Sequence, residues 1–323
     1  METRSVGGLA VSAIGLGCNQ FGTFFDEATS AAVVRAAVDQ GITLFDTADE
    51  YGDGLSEQFL GRALGADRGK VVIATKFGSR FAFDKSGTIT ERPAGEGGGS
   101  ARWIRFAVER SLKNLGTDFI DLYQFHFPDD AVPIDETLRA LEDLVVAGKV
   151  RHIGCCNFSA AQIDAAQAAL PGIRFLTAQN QLNLIRQDAA RNILPACQRH
   201  GMGFLPYFPL ASGVLTGKYR RGEKPPPGTR AHEAMTPDIA ARALSDKVMA
   251  RVEMLEAFGR ARGRSVLEVA VAWLLAQPGL ISVIAGARSG AQLAANIAAA
   301  GWRMTPDEVA EAGRIGRGEA LTS

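Results

Sequence analysis

The chain has 323 residues, 46% of them hydrophobic, and its 35 Lys and Arg balance 35 Asp and Glu. That length and apolar fraction bury a large core and exclude a disordered chain. A formal net charge of zero argues against nucleic acid or an anionic membrane as partner.

The start, Met1-Glu2-Thr3-Arg4, leads into Gly-rich sequence rather than an apolar signal core. Thr3 to Leu9 and Ala10 to Ser12, with Gly7-Gly8 between, read as a small hairpin. Ala13 to Gly17 is the first core strand. Ala28 to Gln40 is helical, stopped by Gly41. Ile42 to Asp46 is the second strand, and Ser56 to Leu64 a helix capped by Ser56 and ended by Gly65. Val71 to Thr75 is strand three. Arg102 to Leu115 is a helix with Ser100 as cap and Gly116 after it. Phe119 to Gln124 is strand four, followed by the helix Asp135 to Ala147 and Gly148. Val150 to Cys155 is strand five, with the helix Ser159 to Ala169 after it. Phe175 to Asn180 is strand six, Gln187 to Arg199 a helix, and Gly203 to Tyr207 strand seven. Val266 to Ala276 is the longest apolar candidate, but it is short and holds Glu268, so no span is expected. Leu280 to Ile284 is strand eight, and Gln292 to Ala300 is helical.

Strict β–α alternation implies parallel pairing with right-handed crossovers. Apolar runs such as Val71-Val72-Ile73-Ala74 suit strands covered on both faces. Eight units favour a closed (β/α)8 TIM barrel over an open doubly wound sheet. The rival sheet carries a Gly-rich fingerprint after its first strand, and Gly15-Leu16-Gly17-Cys18-Asn19-Gln20 lacks the third glycine. The expectation is a single α/β barrel domain over residues 1–323, with a short N-terminal β-hairpin. Gly78 to Gly99 and Leu210 to Pro237 break the rhythm and are expected to overhang the C-terminal mouth as loops. Lys224-Pro225-Pro226-Pro227-Gly228 argues against regular structure in the second.

Cys18, Cys155, Cys156 and Cys197 have no metal-ligand spacing, so no metal is expected. A bond between vicinal Cys155 and Cys156 on a strand would be strained. All four read as reduced packing residues of a cytoplasmic protein. Nothing in the sequence specifies an oligomeric state.

In such a barrel the strand C-termini build the site. Asp46 ends strand two, Tyr51 follows in the loop, Lys76 ends strand three, and His126 lies just past strand four. Together they supply a carboxylate, a phenol, an ammonium and an imidazole. Carbonyl reduction by hydride leaves an alkoxide that needs a proton and hydrogen bonds where charge grows. Tyr51 suits the proton donor if Lys76 lowers its pKa from about 10. Asp46 holds Lys76 charged, and His126 adds a second hydrogen bond to the carbonyl oxygen. Phe24, Phe25, Phe81, Phe83 and Phe127 follow strand ends and suggest an apolar wall for an aryl or aliphatic aldehyde or ketone.

The chain resembles the aldo-keto reductase superfamily through four segments. These are Phe45-Asp46-Thr47-Ala48-Asp49-Glu50-Tyr51-Gly52; Leu115 to Tyr123 followed by His126; Val150-Arg151-His152-Ile153-Gly154 leading to Asn157-Phe158; and Val283 to Arg288. The resemblance implies NAD(P)H-dependent reduction of small-molecule carbonyls, or the reverse alcohol oxidation, without metal or flavin. It implies a catalytic tetrad of Asp46, Tyr51, Lys76 and His126, with Tyr51 and His126 also touching substrate. Asn157 and Gln179 would hold the nicotinamide carboxamide, with Cys156 where the family usually has Ser. Tyr207 would stack on the nicotinamide. Leu210, Ser212 and Gly213 would line the pyrophosphate path. Gly286, Arg288, Gln292 and Asn296 would surround the adenosine end at a helix start. The donor fork of Arg288 suits a 2′-phosphate, so NADPH is expected, with NAD as the alternative. Ala285 and Ala295 depart from the family's usual Pro and Glu.

Two rival readings differ in class. Relatives of this fold serve as channel-associated or sensor subunits that bind nucleotide without rapid turnover. A Schiff-base aldolase would use Lys76 as nucleophile, but would leave Tyr51 and the nucleotide-site residues without a reason.

Overall fold

The alternation closes into a ring. The computed structural model describes residues 1–79, 81–83, 89–91 and 97–319, the side chains of 81–83 and 89–91 excepted. Its strands are β1 (Thr3–Val6), β2 (Leu9–Ser12), β3 (Ile14–Gly17), β4 (Leu44–Asp46), β5 (Val72–Phe77), β6 (Phe81–Phe83), β7 (Ile89–Glu91), β8 (Ile120–Phe125), β9 (Val150–Cys156), β10 (Thr177–Gln181), β11 (Gly203–Tyr207) and β12 (Val283–Ala285). Eight of them form one sheet in the order β11-β10-β9-β8-β5-β4-β3-β12, and the pairs are parallel. The sheet's ends meet at a bridge between Phe204 and Leu280, where Phe204 N donates to Gly279 O at 2.8 Å and Ile281 N to Phe204 O at 3.0 Å. Helices lie between the barrel strands, so the molecule is a nearly closed (β/α)8 barrel, as expected.

Strand periodicity of two sorts the interior into layers. Leu44, Ala74, Leu122, Leu205 and Ile284 form one buried cluster with Leu9 and Val11 of the hairpin. The β1–β2 hairpin therefore plugs the end of the barrel from which the strands start. Burying each such leucine contributes roughly 2 kcal/mol. Two residues further along the same faces stand Asp46, Lys76 and Gln124, so the layer above the apolar plug is polar. Gly154 makes room in that layer: a Cβ there would lie 2.4 Å from Thr177 Oγ1 and 3.2 Å from Gln124 Cγ.

Several boundaries differ from expectation for identifiable reasons. The helix placed at Gln187 to Arg199 is two short helices, Asp188–Asn192 and Leu194–Arg199. Pro195, lacking an N–H, sits at the start of the second rather than inside one continuous helix. Ser56 does not cap its helix, which begins at Leu55 after left-handed Gly54. Instead Ser56 Oγ donates to Cys18 O at 2.9 Å and shares a 2.8 Å hydrogen bond with Thr47 Oγ1. The stretch Gly78 to Gly99 contains the antiparallel pair β6–β7. The stretch Leu210 to Pro237 is not wholly irregular: it holds the 3-10 turn Ala211–Thr216 and the helix Arg230–Glu233. Pro237–Ala243, Asp246–Arg260, Val266–Leu275 and Pro306–Arg317 are further helices. No helix among the described residues is long and apolar enough to cross a membrane.

Candidate active site

Strand register brings the polar layer together. Asp46 ends β4 beside Ala74 of β5, and Lys76 of β5 pairs with Gln124 of β8. Lys76 is fully buried, and Asp46 is 4% exposed. Lys76 Nζ donates to Asp46 Oδ2 at 2.7 Å and to Thr47 O at 2.8 Å, and reaches Tyr51 Oη at 3.4 Å. The other carboxylate oxygen, Asp46 Oδ1, accepts from Gln179 Nε2 at 2.8 Å and from Gln124 Nε2 at 3.4 Å. A buried ion pair persists only when its remaining lone pairs are met in this way. Burial alone would pull the Lys76 pKa down, but the Asp46 carboxylate and its hydrogen bond, with Tyr51 and Cys156, leave it raised. Lys76 is therefore a cation.

Tyr51 reaches this layer from the loop above. Thr47 N donates to Ala74 O at 2.8 Å and Asp49 N to Lys76 O at 3.1 Å, extending the β4–β5 ladder past the end of β4. The chain then turns sharply through Gly52, Asp53 and Gly54, at φ 58°, 52° and 87°. Gly52 is required here, because a Cβ would lie 3.0 Å from the backbone of Phe21 and Gly22. Arg110 Nη2 donates to Asp53 Oδ1 at 2.6 Å and braces the turn.

The expectation that Lys76 makes this phenol acidic needs correction. Burial raises the Tyr51 pKa; Lys76 pulls it down, while Asp46 and Glu50 oppose Lys76. Tyr51 is thus a neutral phenol beside a cation at neutral pH. It holds its proton at rest, and any negative charge arriving on its oxygen faces the ammonium.

His126 is buried beside Tyr51, with ring centroids 6.0 Å apart and planes at 80°. Its backbone N donates to Phe77 O at 2.8 Å, and its carbonyl accepts from Asn157 Nδ2 at 3.0 Å. His126 Nδ1 lies 3.4 Å from Oε1 of buried Glu50. Sequence reasoning missed Glu50, and it missed Gln124, whose position two residues before His126 on β8 was the available signal.

Asn157 directly follows β9, and Gln179 lies on the neighbouring β10: Asn157 N donates to Gln179 O at 3.0 Å. Asn157 takes φ 62°, a left-handed conformation uncommon outside glycine. Its Oδ1 accepts from Tyr207 Oη at 2.8 Å, which fixes the half-buried Tyr207 ring at the end of β11. Cys156 Sγ lies 3.7 Å from Gln179 Oε1 and 3.3 Å from Asn157 Nδ2. Beyond Tyr207, Ala211, Ser212 and Gly213 are all left-handed, at φ 47°, 59° and 93°. The Leu210 carbonyl closes that turn by accepting from Gly213 N at 2.9 Å.

Two cations that sequence reasoning missed, Lys218 and Arg230, adjoin this turn. A Cβ on Gly213 would lie 2.8 Å from Lys218 Nζ. The Lys218 amine is held low by burial and then by the charges of Arg288 and Arg230. Arg230 covers the Phe208 ring at 5.2 Å. Crowded cations above a left-handed turn are relieved by a polyanion, so this donor set fits a pyrophosphate. Gly286 follows β12, and Gln292 and Asn296 lie on the helix Gly290–Ala299. Arg288 N donates to Gln292 Oε1 at 2.9 Å.

The aromatic residues divide. Phe127 stacks on His126 at 4.7 Å and is 37% exposed; Phe24 is 46% exposed. Phe25 is buried, against Phe21 and under the Arg288 guanidinium at 5.4 Å, whereas Phe24 and Phe127 reach solvent. The side chains of Phe81 and Phe83 lie outside the described residues. A surface cleft lined by Gln187, Arg191, Trp273, Gln277, Arg314 and Arg317 shares no residue with the candidate site.

Known proteins share this architecture. A sequence model of the Aldo/keto reductase family matches residues 13–316. The chain is 37% identical over 322 residues to Aldo-keto reductase YhdN of Bacillus subtilis (strain 168), covering 95% of this chain and 91% of that protein. It is 32% identical to a probable voltage-gated potassium channel subunit beta of Arabidopsis thaliana, covering 93% and 91%. Among solved structures, the glycerol dehydrogenase AKR11B4 from Gluconobacter oxydans superposes with a TM-score of 0.81 at 32% identity, covering 97% of this chain and 94% of that one. The holo form of aldo-keto reductase AKR11C1 from Bacillus halodurans gives 0.78 at 28% identity, covering 98% and 96%. A family match over nearly the whole barrel and relatives aligned over nine-tenths of their length lead to one assignment: the chain belongs to the aldo/keto reductase family, and is an oxidoreductase of that kind.

Proposed function

We propose that the protein reduces aldehydes and ketones to alcohols, reversibly, using a nicotinamide cofactor, with Tyr51 as the proton donor. The observation that carries this reading is the Asp46–Lys76–Tyr51 chain of contacts, 2.7 and 3.4 Å long, with His126 beside it. The cofactor, when bound, supplies the hydride. Asn157 and Gln179 would hold its carboxamide, Tyr207 its ring face, Leu210 to Gly213 with Lys218 and Arg230 its pyrophosphate, and Gly286, Arg288, Gln292 and Asn296 its adenosine end. Arg288 carries a permanent charge toward a 2′-phosphate, so NADPH is the expected cofactor and NADH the second.

The chain's own groups do the proton chemistry. His126 and Tyr51 donate hydrogen bonds to the carbonyl oxygen and so favour charge developing there. Tyr51 passes its proton to that oxygen as the alkoxide forms. Lys76, held cationic by Asp46, stabilises the phenolate left behind. Exposed Phe24 and Phe127 suit an apolar substrate over a highly charged one.

The test is a panel of aryl and aliphatic aldehydes and ketones assayed against both reduced cofactors. Oxidation of the cofactor with alcohol formed in equal amount supports the reading. A second reading, a nucleotide-binding sensor subunit, is favoured only by the likeness to the plant channel subunits. Tight nucleotide binding with no turnover across the panel would select it.

A further inference from the structure

Arg288 is not simply an exposed cation waiting on the surface. Its Nη1 donates to Glu233 Oε2 at 2.7 Å and to Gly228 O at 2.8 Å, and its guanidinium lies over the Phe25 ring. The guanidinium is thus held from three directions, and a carboxylate already occupies part of its donor fork. Glu233 ends the helix Arg230–Glu233, 55 residues away in sequence. Arg288 keeps the Glu233 carboxyl below its ordinary range, with Gly228 and His232 acting in the same sense. Glu233 is therefore an anion at neutral pH.

A phosphate and a hydroxyl meet this anion differently. A 2′-phosphate arriving at Arg288 must displace the carboxylate or lie beside it, against like-charge repulsion. A ribose 2′-hydroxyl is neutral and donates a hydrogen bond to a carboxylate. The same pair of residues thus attracts one nucleotide through Arg288 and disfavours it through Glu233. We propose that Glu233 sets the cofactor preference, holding down the advantage that Arg288 gives to NADP and keeping NAD competitive. This rests on the nicotinamide-dinucleotide reading above. The ion pair is open to solvent, with side chains 39% and 40% exposed. Such pairs add little to stability, so a substitution at Glu233 changes charge without unfolding the chain.

The experiment is calorimetric titration of the full chain with NADPH, NADH, 2′,5′-ADP and 5′-AMP, comparing wild type, Glu233→Gln and Arg288→Ala. Glu233→Gln is expected to tighten NADPH and 2′,5′-ADP about tenfold while leaving NADH and 5′-AMP unchanged or weaker, since discrimination is a difference of affinities. Arg288→Ala is expected to weaken the two phosphorylated ligands and spare the others. Equal changes for phosphorylated and unphosphorylated ligands in Glu233→Gln would overturn the proposal and leave Glu233 as a mechanical tie. An unchanged ratio would also overturn it. Failure of the underlying reading looks different: neither dinucleotide would then bind the wild type at all, and this proposal would fall with it.

Discussion

Lys76 Nζ lies 2.7 Å from Asp46 Oδ2, one strand away, with both side chains sealed inside the barrel. Removing one member of such a pair leaves the other charge buried and uncompensated, which costs about 3–5 kcal/mol. Asp46→Asn keeps the shape but removes the negative charge that holds Lys76 cationic. It is expected to lower stability by roughly 3 kcal/mol in urea denaturation and to reduce turnover with it. A variant as stable and as active as the wild type would contradict the role assigned to the pair.

Lys76 and Tyr51 fix the sign of a pH effect. The Lys76 pKa is raised on folding from an ordinary 10.5, and that of Tyr51 from 10.0. Each group keeps its proton in the folded state at pH values where the unfolded chain releases it. The stability they contribute is fully present below the unfolded values and is lost as pH rises toward the folded ones. Denaturation midpoints are expected to fall above about pH 10, and Lys76→Met together with Tyr51→Phe should flatten that limb. A limb of unchanged slope in the double variant would place the titration elsewhere.

Gly154 gives a prediction about packing. A methyl group there collides with Thr177 Oγ1 and approaches Gln124 in the layer that carries the candidate site. Overpacking a dense core costs typically 1–3 kcal/mol, so Gly154→Ala should lower the urea midpoint by about that amount. A neutral substitution would mean that β9 and β10 are looser than their register implies.

The cysteines test burial. All four are at most 1% exposed, and burial raises every one of their pKa values, that of Cys197 to about 12. A buried thiol with a raised pKa is a poor nucleophile. A chromogenic disulfide reagent at pH 8 should therefore detect no thiol in the native protein and all four in guanidinium. Rapid reaction of one native thiol would show that the core around that cysteine opens readily.

The barrel was legible because strand and helix periods alternate with few interruptions, and because strand ends fall where Asp46, Lys76 and His126 stand. Tyr51 was legible as a site residue, but its protonation was not: the ammonium that lowers its pKa is named in the sequence, whereas the burial that raises it is a property of the fold. Ser56 looked like a cap because local spacing hides its long-range bond to Cys18 O. Pro195 was a visible break that the longer periodic pattern overrode. Lys218, Arg230 and Glu233 lie in or near an irregular, proline-bearing stretch with no periodicity to place them. Their relation to Arg288 arises only when that stretch folds back over the end of β12.

The most direct test of the account is single-turnover reduction of a small aldehyde by wild type and Tyr51→Phe, with nucleotide affinity measured on the same samples. A neutral phenol that delivers its proton only as the alkoxide forms is worth about 10²–10⁴ in rate. The account predicts a loss of that size with affinity changed less than about threefold, since uniform binding is untouched. Retained single-turnover rate in Tyr51→Phe, whatever happens to affinity, would contradict it.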